Sequence, residues 1–251
     1  MSGSSGDKEA KKLAYFLPNT FTALNMGCGF FSIVLSWKGD FYYACMLLLL
    51  GAIFDSVDGR IARLTGTQST FGEQFDSISD VISFGIAPAL LVYNRFFVDL
   101  DKLGIMISFV YCLCGALRLA RFNANIDKIS STYFQGLPIP ASALALVGYV
   151  LLTIEFPVVK NWTPVAVVYV LSYGVLMITN IPFYSFKQSD WVEKHKKLFL
   201  AIIFVLLILV FAYVQIMMAL IMATYVICSL IYFFRHKNEM DNIFQWQNDE
   251  E

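Results

Sequence analysis

Charge is scarce in this sequence. Of 251 residues only 15% are Asp, Glu, Lys or Arg, against 58% hydrophobic and 16% aromatic, with mean hydropathy +0.64. That balance excludes an ordinary soluble domain and puts the chain among all-α polytopic membrane proteins. An excess of basic charge is also missing. Eighteen Lys and Arg stand against nineteen Asp and Glu, a net charge of −1, which argues against a nucleic-acid partner. Histidine is limited to His195 and His236. The five cysteines (Cys28, Cys45, Cys112, Cys114, Cys228) all fall inside apolar runs, so they read as small buried residues, with no disulfide or zinc framework. No cleavable leader is expected, because the first residues are polar; MSGSSG is set aside from fold reasoning as a tag or disordered start.

What is present in quantity is apolar runs of membrane-crossing length. Eight spans are expected at about 19–36, 41–63, 72–97, 103–123, 137–156, 162–182, 197–214 and 216–234. The boundary between the last two is weakly marked, since Ala212 to Met218 has little turn chemistry. Pro138 and Pro140 fit the first turn of the fifth span, where a missing N–H is tolerated. The chain divides into an N-terminal tail and interfacial segment (1–16), a membrane core (17–185), two additional helices (186–234) and a C-terminal tail (235–251). With eight spans, fourteen basic residues fall on the side of the termini and four (Lys38, Arg95, Lys102, Lys160) on the other. The excess of basic residues on the inner side of membranes then makes both termini cytoplasmic.

Between the second and third runs lies DSVDGRIARLTGTQSTFGEQFDSISD, residues 55–80, with four aspartates. Carboxylates within spans are costly, and a cluster of them marks a functional site. Asp55 and Asp58 are three apart on one helix, with Ala62 a turn further on. Gly72, Asp76 and Asp80 are each four apart on the next. The short polar loop at 64–71 makes the helices antiparallel neighbours, so both pairs lie at the same membrane surface and can face each other. Oxygen-only ligands suit hard cations such as Mg²⁺, Mn²⁺ or Ca²⁺, and two divalent ions balance four negative charges.

Other groups belong at that depth: Asn19, Thr20 and Thr22 on the first span, and Arg118 with Arg121 at the end of the fourth. Gly59, Ala62 and Gly72 leave room beside the aspartates for a ligand, or serve helix–helix packing. Arginines with metal-binding carboxylates suit an anionic phosphate substrate. Two other readings exist: structural salt bridges to Arg60, Arg63, Arg118 and Arg121, and a divalent-cation transporter. Acids at one end of their spans, flanked by arginines, fit a transporter poorly.

Asp55-x-x-Asp58-Gly59-x-x-Ala62-Arg63, eight residues, then Gly72-x-x-x-Asp76-x-x-x-Asp80 resembles the signature of the CDP-alcohol phosphotransferases without departure. The resemblance covers about residues 17–185. It implies a core of six membrane helices, a homodimer and transfer of a phosphatidyl-type group from a CDP-linked lipid to an alcohol, with release of CMP. It implies Asp55, Asp58 and Asp76 on one metal, with Asp80 helping to hold a second and acting as base on the incoming hydroxyl. Gly59 and Arg63 would contact the cytidine diphosphate, and Ser69, Asn19 and Thr20 look like further nucleotide contacts. Arg118 and Arg121 are candidates for a substrate carboxylate or phosphate, or anchors to headgroups.

The acceptor is read outside that signature. FDSISDVISFGIAPA (75–89), ALRLARFN (116–123) and FQGLPIPASA (134–143) look like the serine-accepting bacterial and archaeal members of the family. Ser77 and Val81 stand where members that use glycerol phosphate usually place proline and lysine. Inositol and choline as acceptors match the flanks less well. The resemblance thus implies CDP-diacylglycerol and L-serine as substrates.

Overall fold

The computed structural model describes residues 5–124, 133–184, 204–206, 208–210 and 212–235, with side chains from Phe16 onward except at 133, 134, 182 and 184. It is helical throughout apart from one short strand pair. Contacts divide the chain into two compact units, residues 1–112 and 113–251.

In the first unit, α1 (Ser5–Trp37) and α2 (Phe41–Thr65) form an antiparallel pair closed by a tight turn at Gly39, φ 86°. The expected interfacial segment is not separate: α1 runs helically from Ser5 through Pro18. The helix buries a polar seam. Thr22, Asn25, Gly29, Ser32 and Ser36, spaced alternately three and four apart, are all buried. Ser32 Oγ donates to the Ala44 carbonyl across the pair at 2.9 Å. Gly51 on α2 lies where a Cβ would come within 3.0 Å of Asn25 Oδ1 and 3.2 Å of Cys28 Cβ. Small and hydroxyl-bearing residues at the contact are what close packing in a membrane calls for, because lipid tails offer no hydrophobic incentive to associate.

The next helix starts at α3 (Thr70–Asp80) and continues through a π-helical turn (Val81–Ile86), α4 (Ala87–Val92) and a second π-helical turn (Tyr93–Phe97). It packs on α1 through Ser79 Oγ, which donates to the Thr22 carbonyl (3.1 Å), and Ser83 Oγ, which donates to the Asn25 carbonyl (2.9 Å). Gly29 makes room for Ser83, where a Cβ would stand 2.7 Å from its Oγ. Residues 70–124 form a 55-residue apolar stretch. At 1.5 Å per residue that is far too long for one crossing. A one-turn 3₁₀ segment (Val98–Leu100) and Asp101, at φ 48°, divide it before α5 (Asp101–Ala124), as the sequence leads one to expect.

The second unit contains α6 (Ile139–Glu155), the single turn α7 (Pro157–Lys160), α8 (Thr163–Ile178) and α9 (Val214–Arg235). Gly148 lets α6 approach α9, since a Cβ there would lie 2.8 Å from the Ala219 amide nitrogen. Tyr169 stacks on Tyr149 at 4.6 Å and donates to the Ala145 carbonyl at 3.1 Å, joining α8 to α6. The sixth expected span ends early. After Ile178 the chain leaves the helix and residues 182–184 (β2) pair antiparallel with residues 133–135 (β1), Phe134 opposite Phe183. Gly136 (φ 70°) turns between β1 and α6, in a position where any Cβ would strike the Met177 and Thr179 carbonyls. Half of the expected seventh span, 197–214, and nearly all of the C-terminal tail lie outside the described residues.

Among the described residues four stretches are long and apolar enough to cross a membrane, and α6 and α8 are shorter apolar helices. Large apolar side chains such as Phe30, Phe31, Tyr43, Ile53, Leu103 and Phe109 are exposed along them. A polytopic membrane protein presents such a surface to lipid.

Candidate active site

Each end of the aspartate stretch is held by a helix terminus with its own local logic. α2 stops at Gly66, whose φ of 63° and ψ of 27° are left-handed; its N–H and that of Thr67 return to the Arg63 and Ala62 carbonyls at 3.4 and 3.1 Å. This is the glycine-dependent helix stop, which gives two of the last-turn carbonyls their partners. Three residues later Ser69, in extended conformation, caps α3 by accepting from the Gly72 amide at 3.1 Å. The loop is therefore short and defined at both ends, and α2 and α3 present their acids to one another.

Asp55, Asp76 and Asp80 converge: one carboxylate oxygen from each lies within 4.8 Å of the others. At an effective dielectric constant near 20, each pair of charges at that distance repels by about 3 kcal/mol. The Oδ1 atoms of Asp76 and Asp80 are sealed from solvent and have no hydrogen-bond partner among the described residues. Buried acceptors facing one another without donors call for a cation, so these residues fit a hard divalent metal. They would hold it through oxygen alone.

Asp58 stands apart from that group. It is 4% exposed, and its Oδ2 accepts from Thr22 Oγ1 at 2.8 Å. Thr22 itself sits on the α1 seam, where its carbonyl receives Ser79. Asp58 and Asp76 together line a cavity of about 140 Å³. Asn19, Gly59, Ala62, Arg63, Ser69 and Gly72 also line it, so six of the nine residues expected to contact substrate meet in one place. Gly59 faces open space, with nothing closer to a built Cβ than Arg63 Nη2 at 4.0 Å. Gly72 has the opposite character: a Cβ would press on Ser69 Oγ at 3.2 Å and Asn19 Oδ1 at 3.4 Å, so its smallness also lets α1 approach α3.

Three expected contacts have other surroundings. Thr20 is exposed, donates to the Phe16 carbonyl at 2.9 Å and is not among the cavity's lining residues. Arg121, in the second unit, fans over carbonyls at the end of α8: Nη1 donates to Ile178 at 3.0 Å, and Nη2 to Met177 and Thr179, both at 3.3 Å. Its guanidinium also reaches Asn180 Oδ1 at 3.1 Å. That is a helix C-terminus neutralised by a cation, a structural use of the side chain. Arg118 is buried at 6% exposure, with its guanidinium carbon 5.9 Å from the Phe122 ring.

The cavity adds Pro18, Thr22, Thr67, Gln68 and Glu73, which were not named as contacts from sequence. Thr67, Gln68 and Glu73 occupy variable positions inside the signature, and the loop's brevity is the signal that could have implicated them. Thr22 was placed at the depth of the site by its position on the first span, with no signal in the sequence to pair it with Asp58.

A sequence profile of the CDP-alcohol phosphatidyltransferase family matches residues 15–172. The chain is 37% identical to a CDP-diacylglycerol–serine O-phosphatidyltransferase of Helicobacter pylori, over 86% of this chain and 90% of that one. It is 40% identical to an archaetidylserine synthase of Methanothermobacter thermautotrophicus, over 69% of this chain and 72% of that one. A CDP-diacylglycerol–serine O-phosphatidyltransferase of Methanocaldococcus jannaschii is also 40% identical, over 68% and 75%. With three acids from α2 and α3 gathered together, a cavity beside them that six of the expected contacts line, and a profile match that reaches from α1 into α8, this chain belongs to the CDP-alcohol phosphatidyltransferase family.

Proposed function

We propose that this protein is a phosphatidylserine synthase, transferring the phosphatidyl group of CDP-diacylglycerol to the hydroxyl of L-serine. The observation that carries the acceptor is the similarity, at 37% identity over 90% of its length, to a relative named for that reaction.

The serine oxygen forms a bond to the phosphorus that bears diacylglycerol. The bond from that phosphorus to the bridging oxygen of the pyrophosphate breaks, and CMP leaves with the electron pair. Asp80 takes the serine proton; its Oδ1 is buried without a hydrogen-bond partner among the described residues, so it is an acceptor in want of a donor. Gly59 lets the diphosphate approach the α2 backbone, and Arg63, at the cavity mouth, pairs with its charge. Asn19 and Ser69 line the same cavity and contribute polar contacts to the nucleotide; Thr20 belongs to that reading by its place on α1. Thr22 keeps Asp58 oriented. Asp55, Asp76 and Asp80, with Asp58 beside them, would hold Mg²⁺ or Mn²⁺, two ions in the full site, supplying positive charge where the pyrophosphate becomes more negative. Arg118 is the candidate for the serine carboxylate, while Arg121 acts by holding the end of α8. The site faces the cytosol with both termini, on the distribution of basic residues, and the working unit is a homodimer.

An acceptor panel tests this. Purified protein with CDP-diacylglycerol and Mn²⁺ or Mg²⁺ should release CMP on addition of L-serine. Release with inositol, choline or glycerol 3-phosphate but not serine would overturn the acceptor and leave the family intact.

A further inference from the structure

The first three spans build the site in layers, and one layer contains a group with no assigned task. Toward the loop, Thr22 on α1 bonds Asp58 on α2 and receives Ser79 from α3. One turn deeper, Asn25 on α1 meets Gly51 on α2 and receives Ser83 from the π-helical turn. Asp55 lies between Gly51 and Asp58 along α2, and Asp80 lies between Ser79 and Ser83. Along their helices both acids therefore fall between the residues of the two layers, and Asn25 belongs to the deeper one. Gly51 and Asp55 are four residues apart, about 6 Å along the helix, a separation that one water molecule spans.

The Asn25 side chain is 0% exposed, and neither Nδ2 nor Oδ1 has a hydrogen-bond partner among the described residues. A buried amide requires a partner. Its neighbours in the layer do not compete: Ser83 is spent on the Asn25 carbonyl, and Gly51 has no side chain. The acceptors in want of a donor nearby are Asp76 Oδ1 and Asp80 Oδ1. An amide carries two N–H donors, and carboxylates only accept. Gly51 is also explained, since a Cβ there would stand 3.0 Å from Oδ1 and crowd the amide.

We infer that Asn25 is a positioning residue for the carboxylate cluster, tying the floor of the site to Asp55 and Asp80 through a bound water. It orients the metal-holding oxygens from below as Thr22 orients Asp58 from above. The inference rests on the proposed metal-dependent reading of the cluster.

The test compares wild-type protein with Asn25→Leu, similar in size and wholly apolar, and Asn25→Ser, which keeps one hydroxyl and space for water. Thermal unfolding is followed in detergent with Mn²⁺ alone, without nucleotide or acceptor, and CMP release is measured against Mn²⁺ concentration. Asn25→Leu should keep its metal-free midpoint, lose at least half of the Mn²⁺-induced rise and need at least tenfold more Mn²⁺ for half-maximal CMP release. Asn25→Ser should recover part of both. A Leu variant matching wild type in the Mn²⁺ shift and in Mn²⁺ dependence overturns the inference. If Asn25→Leu does not fold, Asn25→Ala decides by the same two measurements. Wild-type protein that shows no Mn²⁺ shift defeats the metal reading and this inference together. A normal shift in every variant defeats only the role of Asn25.

Discussion

At the scale of residues, the acids of the motif divide their work by their neighbours. Asp55, Asp76 and Asp80 share one space, whereas Asp58 is drawn toward α1 by Thr22. Identical side chains on adjoining helical faces therefore enter unlike environments. Asp80→Asn preserves shape but replaces an acceptor-only carboxylate with a neutral amide, removing the base and one metal-holding charge, so CMP release should fall by about 10² to 10⁴; unchanged thermal unfolding alongside that loss separates chemistry from folding. Thr22→Val removes the hydroxyl under Asp58 and leaves a buried carboxylate short of a donor, at a cost of about 1.5–3 kcal/mol for a hydrogen bond to a charged group. Steady-state kinetics should show at least a tenfold drop in kcat/KM for CDP-diacylglycerol, and Thr22→Ser should restore most of it. The aspartates themselves were legible in the sequence, because spacings of three and four put each pair on one face of its helix. Thr22 as the partner of Asp58 was not, because that pairing spans 36 positions of sequence.

At the scale of elements, the site depends on where α2 stops and α3 starts. Gly66 supplies the left-handed residue of the stop and Ser69 the cap of the start. Gly66→Ala should cost about 1 kcal/mol, because a Cβ in the left-handed region meets the following carbonyl. Ser69→Ala should cost a similar amount, about 1 kcal/mol, through the lost cap. Denaturant titration of the two single variants and the pair checks this, and a double variant worse than the sum would show the two helix ends acting as one unit. The sequence placed these boundaries only to within the polar loop at 64–71, and the structure shows which residues stop and cap the helices. The end of the sixth span was expected too far along: Thr179, Asn180 and Pro182 break the apolar run, the helix ends at Ile178, and the chain turns into β2, pairs with β1 and presents carbonyls to Arg121. Apolar character alone says that a segment can be buried and does not say when a helix must yield to a strand.

At the scale of the whole molecule, the polytopic architecture follows from the shortage of charge, and the site from charge being placed where the rest of the chain avoids it. Three mutually repelling acids among apolar helices make the bundle's own stability responsive to a cation. Chelation with EDTA should abolish CMP release and lower the unfolding midpoint, and Mn²⁺ or Mg²⁺ should restore both. At a concentration a hundredfold above the dissociation constant, the ion should add about 2.7 kcal/mol of stability. A midpoint indifferent to EDTA and to added ion would overturn the metal reading of the acids.

The sequence by itself determined that this chain lives in a bilayer, that four carboxylates share two helical faces near one surface, and which family signature they spell. Each of these is periodic or compositional, set by residues a few positions apart. Only the tertiary structure decided that Asp58 turns to Thr22, that Gly59 opens to the cavity while Gly72 packs, that Arg121 serves the end of α8, and that the Asn25 side chain is buried against Gly51. Those outcomes depend on how α1 seats against α2 and α3, a matter of close packing between segments tens of residues apart. No spacing within any one of them carries that information.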